Sequence, residues 1–395
     1  MAARLRVAFV STHPIQYQAS WFKAVAADPS LDLQVLYCHN PTADEQGLAG
    51  FGVPFTWDIP LFDGYSYRFL RNVSSNPSTR SFLGLDTPEV DTLIRNKTFD
   101  VVVTNGWHYK SAWQAFTACR SAGVPVFVRS DSHLHTARHP LKRFAKALPY
   151  RWFIPRLDGC LAVGQWSAEY FHHYGAAPER VHIVRHAVAE TFESDARSLA
   201  MQRNRLRRQW SISSDQVVFL FAGKFIPEKE PADFIKAIAQ AGVRFTNIVG
   251  LMVGDGPLRA ECEELARQLD ARVRFAGFLN QSTMVQSYVA ADVLVLPSST
   301  ETWGLVVNEA MACGRPAIVS DRVGCGPDLV QSGVTGFTFP SGNVSQLNEL
   351  LVACAAQPAR LAVMGDHARR LVDGHSVTAS VHAMVNALRS SRSAS

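Results

Sequence analysis

The chain has 395 residues, of which 47% are hydrophobic and 18% charged. That is enough for about two packed domains at roughly 100–200 residues each, and with 23 Phe and 8 Trp it is not the composition of a disordered chain. No apolar run reaches the roughly 18 residues of a membrane-spanning helix, and seven cysteines without a Cys-x-x-Cys pair argue against a disulfide framework or a zinc site, so a reducing cytoplasm is the expected location.

In chain order, residues 5–10 form the first apolar run, which stops at Ser11-Thr12-His13-Pro14; so short a run reads as a buried strand rather than a signal peptide. The turn that follows carries His13 and Gln16 as candidates to face a ligand, although His13 equally fits a cap of the turn before Pro14. Further strands are predicted at 33–37, 100–104, 124–129, 159–163 and 181–184. After a polar boundary at 186–214 they resume at 217–222, 248–253, 273–275, 293–297, 317–320 and 336–339. These runs are almost continuously apolar, as strands covered on both faces of a parallel sheet are. Helical patterns at 231–241, 258–269 and 305–313 alternate with them, which predicts an α/β architecture with right-handed crossovers. About a dozen strands overfill one sheet, so two open parallel-sheet domains are expected. Val377, Val381, Met384, Val385 and Leu388 share one face of a last helix, and 390–395 read as a frayed tail.

Ligands of open α/β sheets bind beyond the carboxyl ends of the strands. Chemistry is therefore expected in the loops after the strands, around a cleft between two such domains. In the first half, Asn105-Gly-Trp107-His108 and Arg129-Ser-Asp131-Ser-His133 end two strands. Trp107, His108, Arg129, Asp131 and His133 are candidates there, or members of a loop hydrogen-bond network. In the second half, Gly223-Lys224-x4-Lys229 leaves a strand and meets Pro231 at a helix start. Glycine allows close backbone approach, and a helix N-terminus with two ammonium groups favours phosphate. The Walker spacing is absent. Ser298-Ser-Thr-Glu301 follows another strand, and a helix from near Gly304 to Gly314 carries Glu309. Carboxylate acceptors suit a polyhydroxylated ligand, although each glutamate also reads as a solvated acid.

In this joint order, Gly223-Lys224-x4-Lys229, Val253-Gly-Asp-Gly-Pro-Leu258, Gly277-Phe278-Leu279, Pro297-Ser-Ser-Thr-Glu301 through Glu309-Ala-Met-Ala-Cys-Gly-Arg-Pro316, and Ser332-Gly-Val-Thr-Gly-Phe337 resemble the nucleotide-sugar domain of the family 4 glycosyltransferases. The resemblance covers about 217–345. It implies the GT-B fold, two Rossmann-like parallel-sheet domains facing a cleft: an acceptor-binding domain at 1–188, a nucleotide-sugar-binding domain at 189–375, and a final helix in 376–395 packing back on the first domain. By resemblance, Gly223, Lys224 and Lys229 hold the donor diphosphate. Glu301 binds donor-sugar hydroxyls, aided by backbone around Thr302, Trp303, Gly304 and Leu305. Glu309 takes the ribose hydroxyls, and Phe278 and Leu279 lie near the base. The family's active-site histidine aligns near Asp131, with His133 two residues on, so both are catalytic candidates beside Glu301, Lys229 and Lys224. The sequence departs from the family in having Lys224 for the usual Arg, Glu230 for the usual Gly, His186-Ala187 for Asn-Gly, and no Gly-Gly after the first strand.

The implied reaction is retaining transfer, by front-face attack, of a sugar from a nucleotide-diphosphate donor to a lipid-linked or polysaccharide-precursor acceptor. Cleaving the sugar–phosphate bond adds negative charge to the diphosphate, which two cations stabilise. No Asp-x-Asp occurs, so no metal is expected, nor any cofactor, since the nucleotide sugar is a substrate. The net charge of +5 is placed unevenly: residues 1–185 hold 19 Lys+Arg against 14 Asp+Glu, and 186–395 hold 20 of each. Within 138–156, Arg138, Lys142, Arg143, Lys146, Arg151 and Arg156 are interleaved with Leu141, Phe144, Leu148, Trp152 and Phe153. This suits an anionic membrane surface at the inner face of the membrane, or a helix packed on the sheet with its charges solvated. Nucleic acid is not an expected partner. The alternatives are another GT-B enzyme such as a nucleotide-sugar epimerase, and a non-catalytic sugar-binding protein. A dehydrogenase is disfavoured because no Gly-x-Gly-x-x-Gly follows a strand.

Overall fold

The computed structural model describes residues 4–47, 50, 52–136, 140–188 and 191–390, with the backbone alone over 140–144. Arg138, the side chains of Leu141, Lys142, Arg143 and Phe144, and the tail beyond Ser390 lie outside the described residues. The chain divides into two compact units. Unit 1 comprises Met1–Pro41, Pro60–Ala187 and Val377–Ser395, and unit 2 comprises Thr42–Ile59 and Val188–Ser376.

Unit 1 is built on strands β1 (Leu5–Ser11), β2 (Leu31–Tyr37), β3 (Ser66–Phe69), β4 (Val101–Asn105), β5 (Val126–Ser130), β6 (Gly159–Ala162) and β7 (Val181–Ile183). They form one seven-stranded sheet in the order β3-β2-β1-β4-β5-β6-β7, and every pairing is parallel. The central strands are buried on both faces, which is why they read as unbroken apolar runs. β3 was not predicted: three of its four residues are exposed at the sheet edge, so no apolar run marks it.

The helix Val377–Ser390 packs on this sheet, with Val377, Val381, Met384, Val385 and Leu388 buried among Val7, Phe9, Phe22 and Leu161. Five such side chains contribute on the order of 10 kcal/mol as an upper figure. Ser380 anchors it: Trp21 Nε1 donates to Ser380 Oγ at 3.0 Å, and Ser380 Oγ donates to the Arg185 carbonyl at 2.7 Å.

Unit 2 is built on β8 (Val217–Ala222), β9 (Ile248–Val253), β10 (Val273–Gly277), β11 (Val293–Leu296), β12 (Ala317–Ser320) and β13 (Gly336–Phe339). They form an all-parallel sheet in the order β10-β9-β8-β11-β12-β13. Residues 42–59, read above as part of the N-terminal domain, group with this unit. Asn280 Nδ2 donates to the Thr56 carbonyl at 2.8 Å, Asp58 accepts from the Ser282 amide at 3.1 Å and from its hydroxyl, and Phe55 lies 4.7 Å from Phe278, ring centre to ring centre.

In each sheet the strand order reverses once, between β1 and β4 in unit 1 and between β8 and β11 in unit 2. The crevice outside the carboxyl ends at such a reversal is where ligands of open α/β sheets bind.

Candidate functional site

At the unit 2 reversal, β8 runs into Gly223 and Lys224, and a tight turn at Pro227–Lys229 presents Lys229. The neighbouring loops are laced together by backbone bonds, Gly223 N–H to Val253 at 3.0 Å, Phe225 N–H to Asp255 at 2.8 Å and Gly254 N–H to Gly277 at 2.8 Å. Gly254 is obligatory: its φ is +129°, and a Cβ there would lie 1.9 Å from the Gly223 carbonyl oxygen. The loop after β11 is pinned from both sides. Ser299 N–H bonds the Glu228 carbonyl at 3.0 Å, and Gly324 N–H and Cys325 N–H bond the carbonyls of Glu301 and Trp303.

Lys229 and Glu301 thereby meet as an ion pair with most of both side chains shielded from solvent. Gly304, at φ +97°, turns the chain into the helix Leu305–Ala312, and Trp303 is buried with its indole N–H bonded to Asn308 Oδ1 at 2.8 Å. Thr302 is exposed, and Leu305, Phe278 and Leu279 are half-buried. Lys224 is half-buried, and the backbone at Gly50 passes its aliphatic stem.

Glu309, on the same helix as Leu305, accepts a hydrogen bond from Tyr288 Oη at 2.5 Å. Burial pushes its carboxyl up to about 7, against the pull of its hydrogen bonds from Tyr288 and Gln281.

The unit 1 reversal holds a pocket lined by Tyr17, Asn105, Gly106, His108, Arg129, Ser130, Asp131, Val163 and His186. Arg129 is 3% exposed. One guanidinium nitrogen donates to His186 Nδ1 at 3.2 Å, and the group lies 4.9 Å over the Trp21 ring. Because arginine can only donate, Nδ1 is the acceptor and His186 carries its proton on Nε2. Burial and the Arg129 charge hold the His186 imidazole well below its ordinary value, so it is neutral. Burial lowers Arg129 to about 10, which leaves it charged, and burial with the nearby Asp131 raises Tyr17 to about 12.

The sequence candidates separate here. Arg129, His108 and Asp131 line the pocket. Trp107 does not: it is 1% exposed in the core against Tyr150, Phe153, Tyr170 and Phe171, and its place as a ligand-facing candidate is corrected accordingly. Burial also sets His133 apart from the pocket wall. It packs on Trp166, and its Nδ1 accepts the His135 amide at 3.2 Å. His13 is half-buried, with Nδ1 2.9 Å from the Thr12 hydroxyl, and Gln16 begins the helix Gln16–Ala27. Tyr17 and Tyr288 were missed. Each carries its signal only through a partner distant in sequence, His186 for Tyr17 and Glu309 for Tyr288.

Elsewhere in unit 1, the helix Pro140–Phe153 turns Tyr150 and Phe153 inward and leaves Leu148 and Trp152 at 68% and 50% exposure, with the Arg156 guanidinium 4.7 Å over the Trp152 ring. Phe153, counted above with the apolar side chains of the basic stretch, is thus a core residue. No helix among the described residues is long and apolar enough to cross a membrane. Among the described residues no cluster of three His, Cys, Asp or Glu side chains is placed to hold a metal ion.

Two parallel-sheet units, each with its polar residues at the strand-order reversal, define the GT-B class. HepE from Anabaena, solved with UDP, has the same fold at a TM-score of 0.74 and 18% identity, over 98% of this chain and 100% of that one. The family model "Glycosyl transferases group 1" matches residues 202–371, and "Glycosyl transferase 4-like domain" matches 17–187. The chain belongs to the family 4 glycosyltransferases. It is 26% identical to an alpha-D-kanosaminyltransferase of Streptomyces kanamyceticus over 67% of this chain and 65% of that protein. It is 33% identical to a D-inositol 3-phosphate glycosyltransferase of Kribbella flavida over 49% of this chain and 46% of that protein. The match thus spans less than two thirds of either relative's length.

Proposed function

We propose that the protein is a retaining glycosyltransferase that moves a sugar from a nucleotide-diphosphate donor to an acceptor, without a metal and by front-face attack. The observation that carries this reading is the Lys229–Glu301 pair at the unit 2 strand-order reversal. A diphosphate is the natural competitor for the Lys229 ammonium, and its arrival releases Glu301 to accept sugar hydroxyls. Lys224 adds a second cation. Together they stabilise the charge that grows on the leaving diphosphate, the kind of interaction that lowers a transition state rather than the ground state. Glu309 with Tyr288 is assigned to the ribose hydroxyls, and Phe278 and Leu279 to the base. HepE, a neighbour in fold, has been solved with UDP, which supports a nucleotide-diphosphate donor.

The acceptor is assigned to unit 1, as a lipid-linked or polysaccharide precursor. The exposed Leu148 and Trp152 beside Arg151 and Arg156 support contact with an anionic membrane surface. Charge reversal at Lys142, Arg143 and Lys146 then reduces liposome binding and spares nucleotide binding. The name of the D-inositol 3-phosphate glycosyltransferase relative favours a second reading of the acceptor, a small polar molecule. The deciding experiment is a donor screen with nucleotide sugars, followed by Glu301→Ala and Lys229→Ala. Each variant loses transfer by about 100-fold or more while keeping the wild-type circular dichroism. Near-normal turnover by both would sink the proposal, and a changed sugar without released nucleotide would indicate an epimerase.

A further inference from the structure

Among the described residues, Arg129 is a buried cation without an anionic partner in contact. Among those residues its guanidinium makes one hydrogen bond, to a neutral imidazole, and its Nε has no acceptor. No ion pair among the described residues includes it, and Asp131, in the same pocket lining, acts on it electrostatically. Burying a charge in this way is costly unless it is compensated. The Trp21 face offsets only part of that cost. Yet the residue sits at the end of β5 and forms part of the wall of a pocket at the strand-order reversal. Hydrogen-bonding groups of Asn105, His108 and Tyr17 line the same pocket. A cation fixed by stacking and by a single neutral acceptor, with donor capacity left over, is built to meet an anion that arrives from solution.

We infer that this pocket binds an oxyanion carried by the acceptor, a phosphate monoester or a carboxylate, with Arg129 as its charged anchor. The inference rests on the transferase reading above, since the acceptor brings the oxyanion. Asp131 shares the pocket and opposes any anion that enters, so it sets the affinity as a repulsive neighbour. His186 orients the guanidinium by accepting from it and adds no charge of its own.

The test titrates inorganic phosphate, and separately acetate, into the full chain at constant ionic strength, reading the imidazole signals of His186 and His108 by 15N-edited NMR. UDP binding is measured on the same samples. Wild-type protein shows saturable shifts at both rings with the preferred anion, and the two arms tell phosphate from carboxylate. Arg129→Met weakens that binding at least tenfold and leaves UDP binding unchanged, whereas Lys229→Ala leaves the anion binding in place. Asp131→Asn tightens it about tenfold by removing the repulsion, an effect that a purely structural Arg129 does not give. Arg129→Lys keeps the charge and serves, with Asp131→Asn, should the methionine variant fail to fold. Anion binding that is absent, indifferent to Arg129, or abolished by Lys229→Ala overturns the inference. Absence of UDP binding in the wild type instead sinks the transferase reading, so the two failures are distinguishable.

Discussion

Glu309 makes stability depend on pH in a way that one substitution removes. An unfolded glutamate titrates near 4.5, and in the folded protein burial moves this one to about 7. The folded state therefore binds the proton more tightly than the unfolded chain. The stabilisation is complete below about pH 4.5 and is lost as the pH rises through about 7. That span is worth about 3 kcal/mol at 1.36 kcal/mol per pH unit, an upper figure because the carboxylate keeps part of its exposure to solvent. Glu309→Gln preserves the shape and an acceptor for Tyr288 Oη but does not titrate. Its stability relative to wild type should climb by up to about 2–3 kcal/mol between pH 5 and pH 8. Urea midpoints of both proteins at pH 5, 6, 7 and 8, followed by tryptophan fluorescence, measure the difference, in which every other titrating group cancels. A difference that stays flat across this range, or that falls, refutes the reasoning. A gain in stability at pH 8 together with loss of donor binding would mark Glu309 as a residue kept for function at the expense of the fold.

Glu230 sits in the left-handed region at φ +49° and ψ +50°, where a side chain costs about 1–2 kcal/mol. Glu230→Gly, after its own entropic cost, should raise stability by about 0.5–1 kcal/mol in the same urea assay. Gly254→Ala forces a Cβ to within 1.9 Å of the Gly223 carbonyl at a φ unsuited to alanine and should cost more than about 2 kcal/mol, read as a lower thermal midpoint. Ser380→Ala removes both bonds that fix the last helix and should cost about 1–3 kcal/mol. Amide exchange across Val377–Ser390 should then accelerate ahead of the rest of unit 1.

The parallel strands were legible because burial on both faces leaves no polar position in them, as in Val217–Ala222. β3 was invisible for the converse reason, its residues being mostly exposed. In the candidate site, the residues around Glu301 could be read because the loop after β11 is a contiguous segment. Trp107 and His108 are sequence neighbours at a strand end, yet His108 lines the pocket and Trp107 fills the core behind it. That division depends on which way each side chain leaves the loop. Tyr17 and His186 are 169 positions apart in the sequence and meet edge to face with ring centres 5.1 Å apart. No local pattern encodes such a pairing. The left-handed Glu230 does give physical sense to the family's usual glycine at that position.

The segment Thr42–Ile59 has a bearing on how far this protein is modular. Because it groups with unit 2 while its flanks belong to unit 1, and because Val377–Ser395 returns to unit 1, the backbone passes between the units at four places. Neither unit is a contiguous stretch of sequence. A fragment starting at Val188 would expose the Phe278 ring, leave the Ser282 amide without Asp58 and leave the Asn280 side-chain amide without the Thr56 carbonyl. A chimera that joins two relatives at a single crossover near 188 would seat a foreign 42–59 segment on those same groups. Exchange of unit 2 between homologues should therefore succeed only when this segment and the last helix travel with the unit on which each one packs.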